Sequence, residues 1–303
     1  MPDVLTPPVG LDWVTGATSK AGLIPRRLAV PEFPRLTDYV GVWAMYPPHF
    51  FAYWHAAVST DLAAHVAAAL PRQAEPQPPI MVPSKGGKSV AVVRMERTLM
   101  KQRPSMGGTS TVDLRRQVRS AANDPNVSGI LLAIDSPGGT VAGTDDLARE
   151  VRAARKKKPT WAFVEDLGAS AAYWVASQAG AIYANSPTAL VGSIGTVMTV
   201  YDESKAAESG GVRPLVFATG PLKGTGEPGV PVTEEQATYL QGIVNGTQES
   251  FDAAVRSGRG LSAAELSAVR SGGVFLAAEA QRLRLIDGIK SFDATLDALA
   301  AAR

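Results

Sequence analysis

From residue 89 onward, apolar positions fall into two alternating textures. The runs SVAVVRM (89–95), GILLAI (129–134), WAFVE (161–165) and AIYAN (181–185) are short, rich in β-branched and aromatic residues, and predict strands. Between them, apolar residues recur at helical spacing. Leu114, Val118 and Ala122 share one face of a helix that begins at Thr111 and stops at Asn123-Asp124-Pro125, because the residue before proline avoids helix. Leu147, Val151 and Ala154 mark a second helix, and Ser170 to Gln178 a third. Strand and helix in strict alternation predict an α/β fold of βαβ units around a mainly parallel sheet. VGSIGTVMTVY (191–201) and VRPLVFATG (212–220) read as further strands. The C-terminal third turns helical, with capping boxes expected at Thr233-x-x-Gln236 and Ser262-x-x-Glu265.

The first 85 residues have a different texture. Residues 1–48 are rich in proline with scattered aromatics, which suits a docking arm. Phe50, Trp54, Val58, Leu62, Val66 and Leu70 then recur every four residues and predict an amphipathic helix whose apolar stripe needs a partner surface, in the main domain or another subunit. Residues 71–88 are rich in Pro and Gly and read as a linker. The division expected is an N-terminal arm, helix and linker over 1–85 and a single large domain over 86–303.

A chain of 303 residues with 45% hydrophobic and 19% charged residues is globular in balance, and its net charge of +2 gives no reason to invoke nucleic acid. There is no cysteine, which removes disulfides, thiolate nucleophiles and thiolate metal sites. Prolines interrupt the first 34 residues, and the apolar stretch 50–70 carries His55, Ser59, Asp61 and His65, so neither a secretory signal nor a membrane span is expected and the chain reads as soluble.

The candidate chemistry lies in two turns. Ser136-Pro137-Gly138-Gly139 follows a buried strand, where glycines bring backbone amides close to a bound carbonyl and can stabilise the oxyanion of acyl transfer. Ser170, in GASAAYW (168–174), stands at a helix start, where a serine is either an N-cap or a nucleophile. Consecutive βαβ units would place both turns on one edge of the sheet, where sites form. A serine nucleophile needs a base. His49, His55 and His65 all precede residue 71, so a histidine serves only if the N-terminal helix folds over the site. A lysine serves if an apolar, water-poor pocket keeps it neutral. Lys223, alone in FATGPLKGTGEPG, suits that role, though an exposed loop lysine has the same local sequence.

IDSPGG (134–139), GASAAYW (168–174), ALVGSIGTV (189–197), TGPLKG (219–224) and EAQRLRLIDGI (279–289), in this order, resemble the signal peptide peptidase A family of serine proteases, over about residues 89 to 290. The resemblance implies a Clp protease/crotonase-like superhelix of βαβ units. It matches Ser170 to the nucleophile, Lys223 to the general base and Ser193 to a serine that orients the lysine. Gly138 or Gly139 with the Ala171 amide would form the oxyanion hole. No metal or cofactor is implied. The partners implied are a peptide or protein substrate and further copies of the chain in a ring-like homo-oligomer. A single domain behind an arm looks most like phage head-maturation proteases, which cleave capsid and scaffold proteins, and places the protein in the cytoplasm of a bacterial or phage-infected cell or within the prohead. A soluble protease of signal peptides, a crotonase-like acyl-CoA enzyme and an inactive scaffold protein are the rival readings. Ser170 and Lys223 together argue against the last two.

Overall fold

The computed structural model describes residues 41–59, 61, 64, 78–84, 87–103 and 107–302. The expected arm up to residue 40, much of the expected linker, and Leu62, His65, Val66 and Leu70 of the expected helix lie outside the described residues.

The chain enters through strand β1 (Trp43–Met45) and helix α1 (Pro47–Ser59), then forms β2 (Ile80–Pro83), β3 (Ser89–Glu96), β4 (Leu99–Met100) and β5 (Thr109–Ser110). Helix α2 (Thr111–Asn123) leads to β6 (Val127–Ser136) and β7 (Gly138–Thr140), and α3 (Thr144–Arg155) to β8 (Thr160–Ala169). Helix α4 (Ala171–Ala176), β9 (Ile182–Ala184) and β10 (Leu190–Gly192) follow. The remainder is α5 (Ser204–Ser209), α6 (Glu234–Arg259), α7 (Ala263–Val269), β11 (Val274–Leu276), α8 (Ala277–Arg282), β12 (Gly288–Ile289) and α9 (Phe292–Ala301).

The main sheet runs β11-β10-β8-β6-β3-β2, parallel from β10 to β3 and closed by an antiparallel strand at each end. The expected α/β fold with a mainly parallel sheet is therefore the fold observed. Its central strands are apolar on both faces because both faces are covered. Ile130, Leu132 and Ile134 of β6 join the large core under α2, α3 and α4. Leu131 and Ala133 point the other way and pack with Phe163, Phe292 and Leu299, under α9. Each buried leucine, isoleucine or phenylalanine among them contributes about 1.5–3 kcal/mol of burial. An exposed ion pair between Arg119 and Glu150 links α2 to α3.

Both C-terminal capping boxes form. Thr233 Oγ1 accepts from the Gln236 amide at 3.2 Å while Gln236 Oε1 accepts from the Thr233 amide, and Ser262 and Glu265 repeat the arrangement. Three expectations need correction. Residues 80–83, inside the expected linker, pair with β3 as the edge strand β2. The expected strand 191–201 stops at Gly192, where Ser193 turns into a left-handed conformation with φ 52°. The expected strand 212–220 does not form, and the segment pairs with neither sheet. Its β-branched residues face solvent instead, and Phe217 is 93% exposed.

Candidate active site

Strand β8 ends where the backbone reverses sharply into α4, and Ser170 is the reversal. Its φ of 57° and ψ of −118° lie outside the regions that non-glycine residues ordinarily adopt, a strain of about 1–3 kcal/mol that surrounding structure must sustain. That structure is tight. The Ser170 amide donates to the Gly192 carbonyl at 2.7 Å, and Ala169, Ala171 and Ala172 are fully buried. Only small side chains fit: a Cβ on Gly168 would lie 2.7 Å from Val164 Cγ2. The serine is at the N-cap position but makes no capping hydrogen bond, so the hydroxyl is not used to satisfy the helix start. Instead Ser170 Oγ leans toward the Gly195 carbonyl at 3.4 Å.

Helix α4 is fixed from two other sides. Trp174 stacks on Phe251 of α6, and the Tyr173 hydroxyl donates to the Leu285 carbonyl at 2.8 Å. Burial pushes the Tyr173 phenol well above its ordinary pKa, so it stays a donor.

The Ser-Pro-Gly-Gly turn lies beside this elbow. Ser136 Oγ donates to the Arg97 carbonyl at 2.5 Å and accepts from the Gly138 amide at 3.2 Å, which pins the turn from within. Gly138 has φ 100°, and a Cβ on it would sit 2.9 Å from both the Ala171 amide nitrogen and Ser170 Cβ. A Cβ on Gly139 would meet the Leu99 carbonyl oxygen at 1.7 Å. The two expected turns thus meet on one sheet edge, bringing Gly138, Gly139, Ala171 and Ser170 together. Ser193 lies nearby, buried, with its amide donating to the Gly273 carbonyl at 2.6 Å, and it lines a cleft of about 330 Å³ with Met45, Gly195, Thr196 and Gln248.

Among the described residues, no hydrogen bond joins Lys223 to Ser170. Lys223 sits exposed on a 3₁₀ turn, Pro221–Gly224, whose Pro221 carbonyl accepts from Gln236 Nε2 near the start of α6. The cleft lined by Ser193 and Gly195 meets α6 between Val244 and Gln248, about 12–18 Å along the helix from Gln236 at 1.5 Å per residue. Neither described histidine lies against Ser170. His49 and His55 are on α1, and His49 lines a different cleft with Asp135 and Pro137. Among the described residues, no group of three His, Asp or Glu side chains could hold a metal ion, and no helix is long and apolar enough to cross a membrane.

One neighbour of the site escapes any reading of local sequence. Strand β1 lies antiparallel on β7, with Ala44 opposite Gly139 and Met45 opposite Gly138. Three residues offer too short a period to signal a strand.

Comparison with known proteins places the site in a family. The model of Peptidase family S49 matches residues 152–303, which include Ser170, Ser193 and Lys223. The chain belongs to peptidase family S49. The S49 chain is 34% identical over 166 residues to the Methanocaldococcus jannaschii protein MJ0651, covering 55% of this chain and 53% of that one. It is 33% identical over 177 residues to Capsid assembly protease C of Escherichia phage lambda (57% and 40%) and 28% identical over 224 residues to Protease 4 of Salmonella typhi (74% and 35%). It thus spans between about a third and about half of each relative's length. Among solved structures, a ClpP1 mutant from Listeria monocytogenes matches with a TM-score of 0.44 at 13% identity, covering 68% of this chain and 94% of that one.

Proposed function

We propose that this S49 chain is a serine endopeptidase that cleaves extended peptides through an acyl-enzyme on Ser170. The observation that carries the reading is the strained elbow, which holds the Ser170 hydroxyl out of its capping role and beside the Ala171 amide. In the attack step, Ser170 Oγ adds to the scissile carbonyl, its proton passes to a neutral base, and the base returns it to the leaving amine. Gly139 and Ala171 supply the amides for the oxyanion, since the Gly138 amide is already engaged by Ser136.

Lys223 is the base in this reading, with Ser193 orienting it. With Lys223 exposed and not bonded to Ser170, it reaches a serine in this reading by moving its turn or by entering the site of a second copy. The second copy is favoured by the surface beside it, where Val212, Leu215 and Phe217 are exposed in the segment that leads to the lysine. A homo-oligomer would bury that surface and assemble the dyad in one step. Similarity to Capsid assembly protease C favours capsid or scaffold proteins as substrates, over signal peptides.

The test compares wild type, Ser170→Ala and Lys223→Ala on extended fluorogenic peptides and on co-expressed capsid protein. Each variant is expected to lose at least about a thousandfold in rate. Mixing the two inert variants should restore cleavage in shared assemblies. Unchanged cleavage by either variant alone would sink the mechanism, and an inert mixture would place the dyad within one chain.

A further inference from the structure

The backbone of residues 42–46 is bonded on both edges, by the two segments that flank Ser170. Toward β7, the Tyr46 amide donates to the Pro137 carbonyl at 2.8 Å and the Val141 amide to the Val42 carbonyl at 3.0 Å. Hydrogen-bonded pairs alternate along an antiparallel ladder, so Ala44 and Gly139, midway between these two, form the intervening pair. Toward the segment after Ser193, the Trp43 amide donates to the Val197 carbonyl and the Val197 amide to the Trp43 carbonyl, both at 2.8 Å. A strand held this way lies in a channel walled by β7 and residues 195–197.

The channel passes directly over the nucleophile. The point where a Gly138 Cβ would sit is 2.2 Å from the Ala44 carbonyl oxygen and 2.9 Å from both the Ala171 amide nitrogen and Ser170 Cβ. The carbonyl of Ala44 therefore occupies the place where the serine, the helix-start amide and the glycine turn converge. Beneath this strand Ser170 is 0% exposed and no external peptide reaches it. The channel does not end at Ala44: the cleft lined by Met45, Pro47, Ser193 and Gly195 continues it in the C-terminal direction.

Side chains alternate as they would on a bound peptide. Ala44 points into the main core, where it is fully enclosed. Trp43 and Met45 point away, into a separate small cluster with Phe50 and Met100, against Tyr53 and Val197. Trp43 contacts Phe50 at 5.5 Å and Tyr53 at 6.0 Å between ring centroids, so β1 and the first turns of α1 hold each other.

We propose that residues 42–46 are a tethered pseudosubstrate. They fill the peptide channel of the Ser170 site in the register a substrate would take, antiparallel to β7 with a small side chain at the position of Ala44. They must be displaced before a substrate binds. This rests on the reading of Ser170 as the nucleophile and adds the channel, its polarity, a preference for a small side chain before the scissile bond, and a means of keeping the site closed.

The chain has no cysteine, so a lock can be built without background. Trp43 and Thr140 face each other as a non-hydrogen-bonded pair, a geometry with Cα atoms about 4.5 Å apart that a disulfide can bridge. The double variant Trp43→Cys, Thr140→Cys is expected to form the disulfide, to lose at least about tenfold in peptide cleavage when oxidised and to regain it on reduction. A bridge that forms and leaves cleavage unchanged would overturn the proposal, as would failure of a folded double variant to form the bridge. Binding of a labelled Ala-containing peptide, read by anisotropy in the same pair on the Ser170→Ala background, needs no catalysis. Weaker binding in the oxidised form supports the pseudosubstrate even if no peptide is ever cleaved, and equal binding refutes it. If the cysteine variants fail to fold, amide exchange of wild type decides. Residues 42–46 should be protected alone and exchange at least about tenfold faster at saturating peptide, and unchanged protection with peptide bound would overturn the idea.

Discussion

Trp174 stacks on Phe251 with ring centroids 4.7 Å apart and planes 10° from parallel, both side chains fully buried. This contact ties the helix that follows Ser170 to α6, and through Gln236 to the turn that carries Lys223. Trp174→Ala removes one ring of the stack and leaves a cavity in the core. We expect a loss of about 3–5 kcal/mol in urea unfolding. A loss under about 1 kcal/mol would mean the helix is held elsewhere.

The elbow stores strain that catalysis requires. Ser170→Gly gives the φ of 57° to a residue that adopts it freely, so the variant should be more stable by about 1 kcal/mol while losing all cleavage. Ser170→Ala should lose cleavage without that gain. Thermal melts of the three proteins check both, and a glycine variant no more stable than the alanine variant would argue against strain at this position.

Gly138 leaves no room for a side chain between the strand that covers the site and the helix-start amide. Gly138→Ala places a Cβ against the Ala44 carbonyl and the Ala171 amide at a φ of 100°, so it should both loosen β1 and cut cleavage by at least about a hundredfold. Amide exchange at 42–46 and peptide kinetics read the two effects separately. Near wild-type kinetics would remove the turn from the oxyanion site.

Glu165 gives the pH dependence a sign. Burial raises its pKa, and the neighbouring Asp135 raises it further. The folded state therefore holds the proton more tightly than the unfolded chain. Stability from this group is present below the ordinary glutamate range and falls as pH rises through the raised folded value. Glu165→Gln should accordingly raise the melting temperature at pH 7, by no more than about 2 °C because the group is partly exposed and screened, and should show no such gain at a pH below the ordinary range. A gain of equal size at both pH values would trace to packing instead.

Thr233→Ala removes the hydroxyl that accepts from the Gln236 amide and frees the Gln236 side chain from its reciprocal bond. The cost expected is about 1 kcal/mol by chemical denaturation. Since Gln236 Nε2 also holds the Pro221 carbonyl, exchange should rise across 221–224 as well. Exchange confined to the start of α6 would show the Lys223 turn to be held independently.

How much of this was legible in sequence follows from which forces act locally. Ser262-x-x-Glu265 closes within one turn, so its pattern reads directly as a capped helix. The unbroken apolar run GILLAI announces a strand covered on both faces, and the order of βαβ units puts the two turns on one sheet edge. The expected strand at 212–220 had the right composition and no neighbour, since a strand exists only when another edge pairs with it.

The sequence alone determined the α/β architecture, the meeting of the glycine turn with Ser170, and the absence of any cysteine chemistry, because periodicity, capping and turn residues act over a few positions. Tertiary structure decided the rest. It showed that Ser170 is an elbow rather than a cap, since that distinction lies in a backbone angle sustained by Gly192 and the buried alanines. It left Lys223 exposed on a 3₁₀ turn, with no hydrogen bond to Ser170. It also laid Trp43–Met45 across the nucleophile, a pairing of residues nearly a hundred positions apart in sequence, made by ladder hydrogen bonds that every residue type can form.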